Sequence, residues 1–176
     1  MEIVQLSLIE AQAALPALAA LLQDAVADGA SVGYLPPLST ADAEGYWQGV
    51  LAKLPNPQHV LLVAHVADRI VGTVQLVGEQ RPNGSHRAEI SKLLVHTAAR
   101  GQGIATALMH AVEAAAHRNG RSLLVLDTLT DSLAERLYHR LGYQMTGIVP
   151  GYARDGDGVL QPCTFMHTLL EAAVER

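Results

Sequence analysis

The stretch Val95-His96-Thr97-Ala98-Ala99-Arg100-Gly101-Gln102-Gly103-Ile104-Ala105-Thr106 concentrates the residue types that hold a phosphate. A β-rich run ends, a short loop carries an arginine and two glycines, and a long helical pattern begins. Glycines let backbone N–H groups approach an anion, and a helix N-terminus adds unpaired donors and a partial positive charge. Arg100 supplies a full charge and Thr106 a hydroxyl in the first turn. Such a loop is a chemically sensible pyrophosphate cradle. A dinucleotide fingerprint would place G-x-G-x-x-G directly after the strand, with an acid about 20 residues on. Asp127 superficially meets the second condition, but Gly101 lies six positions past Val95 and the third glycine position is Thr106. A Walker A loop fails for want of Gly-Lys-Ser/Thr. A plain helix start behind a flexible loop stays open on the glycines alone.

Other chemistry-bearing residues are few. Asp127 follows the apolar run Leu123–Leu126, where a carboxylate is costly unless paired or functional. It sits at the carboxyl end of a strand, where α/β sites collect; capping the turn before the last helix is its alternative role. Glu89 opens a strand, and from the residues alone a solvated charge at a strand end is its plainer reading. The eight histidines form no His-Glu-x-x-His pattern and there is one cysteine, Cys163, so no metal site is expected. Asp155-Gly156-Asp157-Gly158 is superficially calcium-like, but Met166 stands where the bidentate glutamate should be. A turn is the expectation there, and Cys163 is expected to be a buried strand residue.

These residues must be positioned by a mixed set of elements. Residues 2–6 read as a strand, and Glu10–Asp28 as a helix with Leu15, Leu18, Leu22 and Val26 on one stripe. A loop at 30–37 follows, then a helix from Ser39-x-x-Asp42 carrying Trp47, Val50, Leu51 and Leu54 inward. His59–Val66 and Ile70–Val77 read as a hairpin, and Ala88–Val95 as the next strand. Gly103–Asn119 is helical, with Ile104, Leu108, Ala111, Val112 and Ala115 on one face. Leu123–Leu126 has the continuous apolar character of a parallel strand covered on both faces. Strand, helix and strand from Ala88 to Thr128 make a βαβ unit. Ser132-x-x-Glu135 starts a last helix, and Tyr143–Val149 with Val159–Leu169 forms a final strand pair. The fold class is α+β, a mixed sheet flanked by helices in one domain over residues 1–176.

Arg100-x-x-Gly103-x-Ala105 resembles the Arg/Gln-x-x-Gly-x-Gly/Ala signature with which GNAT acetyltransferases hold the pyrophosphate of coenzyme A. Asp131-Ser132-Leu133-Ala134-Glu135-Arg136-Leu137-Tyr138-His139-Arg140-Leu141-Gly142-Tyr143 resembles that family's N-x-x-A-x-x-L-Y-x-x-x-G-F/Y segment, at the family's spacing. Asp131 departs from the usual asparagine. Ala30-Ser31-Val32-Gly33, Pro82-Asn83-Gly84, Arg87-Ala88-Glu89, Leu126-Asp127-Thr128 and Pro150-Gly151-Tyr152 are similar to the tabtoxin-resistance subgroup, which acetylates a β-lactam amino-acid toxin. The resemblance covers about Gly29 to Leu169.

The resemblance implies the acyl-CoA acyltransferase fold, a mostly antiparallel sheet with one parallel βαβ unit, and an N-acetyltransferase using acetyl-CoA as co-substrate. It assigns the backbone of Leu93, Leu94 and Val95 to the pantetheine arm, with an N–H of Leu94 or Val95 as oxyanion donor. Arg100, Gly101, Gln102, Gly103, Ile104, Ala105, Thr106 and Asp131 would contact the rest of the coenzyme. Glu89 would be a base or water relay, Tyr138 the acid toward the sulfur, and Glu89, Asp127, Tyr34 and Tyr152 would meet the acceptor. The acceptor implied is a small amine or amino-acid-like molecule, including a β-lactam toxin or antibiotic. A non-catalytic CoA-binding protein and an acetyltransferase of protein N-termini are the alternatives.

Composition agrees with this class. The 176 residues carry a formal charge of −5 and no basic stripe, so no nucleic-acid partner is expected. The apolar stretch Ala13–Ala27 is too short and interrupted to span a bilayer, and no basic, apolar and small-residue leader is seen. With one cysteine, a reducing cytoplasmic location is expected. A homodimer is left open.

Overall fold

The computed structural model describes residues 1–170; the last six of the domain expected over 1–176 lie outside the described residues. The alternating apolar runs become strands β1 (Glu2–Gln5), β2 (His59–Val66), β3 (Arg69–Gly78), β4 (Arg87–Val95), β5 (Leu123–Leu129), β6 (Gln144–Arg154) and β7 (Leu160–Leu169). The 3.6-residue patterns become helices α1 (Leu8–Ala13), α2 (Leu15–Ala27), α3 (Thr40–Leu51), α4 (Ile104–Arg118) and α5 (Leu133–Arg140). The single helix expected over Glu10–Asp28 is two: Pro16 sits in the first turn of α2, where its missing N–H costs nothing, but it cannot continue α1.

The strands form one sheet in the order β1-β2-β3-β4-β5-β7-β6. Every neighbouring pair is antiparallel except β4–β5. The expected mixed, mostly antiparallel sheet with one parallel pair is therefore the observed one. Ala67 and Asp68, both at positive φ (48° and 61°), turn the β2–β3 hairpin.

Two apolar cores lie on opposite faces. On one, α4 lays Ile104, Leu108, Met109, Val112, Ala115 and Ala116 against Val60, Leu62, Val74, Leu76, Ile90, Leu124 and Leu126. On the other, α1, α2 and α3 bury Leu18, Leu21, Leu22, Val26 and Trp47 against Leu61, Val63 and Leu94. Fully burying such a side chain stabilises by roughly 1.5–3 kcal/mol, so both helix layers are firmly seated. Gly72 of β3 allows α4 to approach closely. A Cβ there would meet Leu94 O at 2.9 Å, Leu108 Cδ1 at 3.0 Å and Ile104 Cγ2 at 3.2 Å.

Among the described residues no helix is long and apolar enough to cross a membrane. The turn expected at Asp155–Gly158 is present, with Asp155 accepting from the N–H groups of Asp157 and Val159. Cys163 is a buried strand residue, as expected.

Candidate active site

The site grows from a fault in the sheet. β4 pairs with β5 only over Arg87–Glu89, opposite Leu123–Val125; from Ile90 to Val95 its pairing is with β3 alone. The cause is in β4 itself. Opposite Thr73–Gln75 the register slips by one residue, and Lys92 within the slip has φ 51°. A bulge of this kind adds a residue, bends the strand and exchanges the faces of all that follows. Accordingly Leu94 packs with the α1–α3 core, while Leu93 and Val95 pack with the α4 core. Backbone groups on the β5 side of this segment lack a strand partner.

Ladder alternation distinguishes the two N–H groups considered as oxyanion donors. His96 N–H donates to Val71 O at 2.8 Å, so the N–H of Leu94, two residues back, also turns to β3. The N–H of Val95 turns the other way, into the cleft between β4 and β5. Of the two, only the Val95 N–H is therefore free of β3.

Beyond Val95 the loop reaches α4. Gly101 and Gly103 have φ of 76° and 78°, in the left-handed region that glycine enters without penalty. Gly103 is the N-cap of α4 and offers no capping side chain. Among the described residues, no acceptor meets the N–H groups of Gly101, Gln102, Gly103, Ile104, Ala105 or Thr106. Nothing lies within 4 Å of a Cβ built on Gly101 or Gly103. Six consecutive free donors at a helix N-terminus, facing open space, fit a pyrophosphate.

Arg100 is placed differently from the expectation of a free phosphate-binding cation. Its Nη1 lies 2.5 Å from Asp28 Oδ2 and its Nε donates to Val95 O at 3.3 Å. The contact is monodentate, through one arm of the guanidinium, and it partly offsets the charge that Arg100 would bring to a phosphate. Asp24, one turn earlier on α2, accepts from the Thr97 N–H and hydroxyl, both at 2.8 Å. α2 thus clamps the loop at two points, a role absent from the sequence reading. Asp131, also expected near the coenzyme, is exposed at φ 63° just before α5, and its N–H donates to Glu135 Oε2 at 2.5 Å.

Glu89 and Asp127 occupy one face. Glu89 is opposite Val125 in β5, and Asp127 lies two residues further along, on the same side. Burial pushes the Glu89 carboxyl above the ordinary range, and the Asp127 charge adds to this while Lys92 opposes it. Asp127 is raised by burial, again opposed by Lys92. Burial lowers the Lys92 ammonium, against the pull of both carboxylates. Two carboxylates share one ammonium, which leaves a net negative site. Asp127 does not cap the last helix: Ser132 does, accepting from Glu135 N–H at 3.1 Å.

Tyr138 is more deeply placed than a helix-shoulder residue. Only 6 % of it is exposed and it belongs to the α4-side core. Its ring lies 5.8 Å from that of Tyr143. Burial, and then the Asp127 charge, raise its phenol pKa, so the hydroxyl keeps its proton. Tyr143 donates to Glu113 Oε1 at 3.0 Å.

Tyr34 and Tyr152 each stand one ring removed from the residues around the acids. The Tyr34 ring stands edge-on to Tyr46 at 5.9 Å. Tyr152 stands edge-on to Phe165 at 5.1 Å, and Phe165 is opposite Asp127 in the register. Trp47, by contrast, is fully buried core.

Sequence reasoning missed Tyr46, Gln75, Ser91 and Lys92. Tyr46 accepts from Gln75 Nε2 at 2.8 Å, and Lys92 Nζ sits 5.2 Å above the Tyr46 ring centre. With Gly45, Gly49, Lys53, His59 and Glu89 among others, Tyr46, Gln75 and Ser91 line a hollow of about 440 Å³. The available signals were Gly45 and Gly49, one turn apart on α3, and a lysine inside an apolar strand.

A model of the acetyltransferase (GNAT) domain family matches residues 57–145. An uncharacterised N-acetyltransferase of Methanocaldococcus jannaschii is 29 % identical over 139 residues, 78 % of this chain and 81 % of that protein. N-acetyltransferase 8B of Rattus norvegicus is 38 % identical over 87 residues, 48 % of this chain. The chain spans only 39 % of that rat protein's length. A putative acetyltransferase of Salmonella typhimurium, solved with acetyl-CoA, superposes with a TM-score of 0.80 at 21 % identity, covering 100 % of this chain and 97 % of that one. The phosphate loop, the opened strand pair and the family match agree, and the chain belongs to the GNAT acetyltransferase domain family.

Proposed function

We propose that the protein is an N-acetyltransferase that moves the acetyl group of acetyl-CoA directly onto a small amine. The observation that carries this reading is the cleft between β4 and β5, opening beside the six unpaired N–H groups of residues 101–106 and ending near Glu89 and Asp127. It supplies a phosphate end, a channel of free backbone groups and an acidic end in one line.

Bound there, acetyl-CoA supplies the thioester carbonyl; the chain supplies everything else. The amides of Gly101–Thr106 hold the pyrophosphate, and the free backbone edge of Leu93–Val95 aligns the pantetheine arm. Val95 N–H donates to the carbonyl oxygen as it gains charge, the type of interaction worth roughly 2.7–4 kcal/mol in other enzymes. An amine attacks only as the free base, and ordinary ammonium groups have pKa values of about 8 to 10. Glu89, with its raised affinity for a proton, accepts that proton, directly or through water. Asp127 orients the ammonium as it arrives. Tyr138 donates a hydrogen bond to the departing sulfur. Its raised phenol pKa exceeds that of an ordinary thiol, about 8.5, so the donor stabilises the thiolate without surrendering its proton.

The segments similar to the tabtoxin-resistance subgroup support an amino-acid-like toxin or antibiotic as acceptor. Single-cysteine composition supports a cytoplasmic location. The test is release of free thiol from acetyl-CoA in the presence of an amine panel, with the acetylated product identified by mass. Tight acetyl-CoA binding without thiol release under any amine would favour a non-catalytic binding protein.

A further inference from the structure

The acidic end of the site continues into a groove whose far wall is basic. His59 of β2 is opposite Val77 of β3, and Val77 is opposite Glu89 of β4. The three side chains therefore stand in a row on one face, and His59 and Glu89 are separated by two inter-strand steps, roughly 10 Å. Two adjoining hollows of about 440 and 560 Å³ meet over this row, and both are lined by Lys53, His59, Val77 and Glu89. Among the described residues neither Lys53 nor His59 has an ion-pair partner, whereas Arg87, at the rim, is satisfied by Glu79 at 3.0 Å.

An unpaired lysine beside a histidine is conspicuous on a chain of net charge −5. The two ends of the groove have opposite needs. Glu89, Asp127 and Lys92 together carry one net negative charge, which the ammonium of an acceptor neutralises. Lys53 is a mobile point charge on a flexible stem, and His59 is half-buried beside it. Burial and the neighbouring Lys53 charge hold the His59 pKa below its ordinary value, so at neutral pH it serves as an uncharged N–H donor and Lys53 carries the charge.

We infer that this groove is an anion subsite for the acceptor, so that the substrate class is an amine bearing a carboxylate or similar anion several bonds from the reacting nitrogen. The inference rests on the acetyltransferase reading above and names its acceptor more closely. Spacing sets the preference. The strands bearing His59 and Glu89 stand two inter-strand steps apart, roughly 10 Å, so a ligand that meets both ends needs its ammonium and carboxylate separated by several bonds. An α-amino acid holds its ammonium and carboxylate closer than that. An ω-amino acid spans it, with Val77 as the apolar floor under its methylenes.

The experiment separates the two levels. First, acetyl-CoA is titrated calorimetrically into the full chain; absence of binding removes the acetyltransferase reading itself. Then kcat/KM for acetyl transfer and Kd in the presence of CoA are measured for glycine, 4-aminobutyrate, 5-aminopentanoate, the methyl ester of 4-aminobutyrate and pentylamine. The expected result is a preference of about tenfold or more for the two ω-amino acids over the ester, the alkylamine and glycine. Lys53→Ala and His59→Gln should each shrink that ratio, chiefly through KM, and Lys53→Arg should largely restore it. If acetyl-CoA binds but the five probes show equal affinity and rate, or none is bound, the anion subsite does not exist.

Discussion

Gly103 offers the sharpest separation of cause and effect at the phosphate loop. Its φ of 78° is left-handed, and a Cβ built on it meets nothing within 4 Å. Gly103→Ala therefore introduces backbone strain and no collision, at a cost of about 1–2 kcal/mol. For a domain of this size, each kcal/mol lowers Tm by about 2–4 °C. Gly103→Val adds a branched side chain over the amides of residues 101–106. A hydrogen bond to a charged group contributes about 1.5–3 kcal/mol, so displacing even one of these from the pyrophosphate should raise the acetyl-CoA Kd about 10- to 150-fold, since about 1.4 kcal/mol is tenfold. Calorimetric titration with acetyl-CoA gives the affinity, and thermal melts monitored by circular dichroism give the stability. The expected pattern is a similar modest loss of Tm in both variants, with a far larger loss of affinity in Gly103→Val. Unchanged acetyl-CoA affinity in a folded Gly103→Val protein would falsify the assignment of this loop to the pyrophosphate.

Tyr138→Phe keeps the buried ring and removes the donor, so kcat should fall roughly 10- to 1000-fold with acetyl-CoA affinity nearly unchanged; parent-rate turnover with chemistry limiting would leave Tyr138 a packing residue. Glu89→Gln should lower kcat and flatten the acidic limb of the pH–rate profile, whereas Asp127→Asn should mainly raise the acceptor KM. Because the folded state raises the Glu89 pKa, it binds a proton more readily than the unfolded chain. That carboxylate therefore opposes folding increasingly as pH rises from its unfolded pKa through the raised one. Glu89→Gln should accordingly raise Tm near pH 7 and lose that gain near pH 4. Asp28→Asn should free Arg100 and tighten acetyl-CoA binding several-fold, an effect that added salt should erase; weaker binding would mean that Asp28 holds Arg100 in its working position.

What the sequence revealed, and what it concealed, follow from the range of the interactions involved. The geometry of the loop before α4 was legible because it is local: two glycines at positive φ, a helix start and a run of free amides all lie between residues 100 and 106. The hairpin, the βαβ unit and the caps at Ser39 and Ser132 were legible for the same reason. The bulge at Lys92 was not, because a register slip is a property of two strands, yet it opens the cleft and turns the Val95 N–H into it. The pairing of Arg100 with Asp28 was hidden because the two lie 72 positions apart. The groove beside Glu89 was concealed by the same distance in sequence: Lys53, His59, Val77 and Glu89 meet only once three strands are in register. The break between α1 and α2 at Pro16 was visible in principle and lost to a continuous apolar stripe.

The central claim is that acetyl-CoA runs from the amides of residues 101–106, past the free edge of β4, to the acids on the far side of the split. Backbone amide NMR during titration with acetyl-CoA reads this directly. Large, saturable shifts are expected at Gly101 through Thr106 and at Val95, with the Leu94 amide, engaged with β3, moving far less. Adding a non-reactive anionic amine analogue should then perturb Glu89, Ser91 and His59. Saturable binding with the amides of residues 101–106 and Val95 unmoved would place acetyl-CoA elsewhere on the protein.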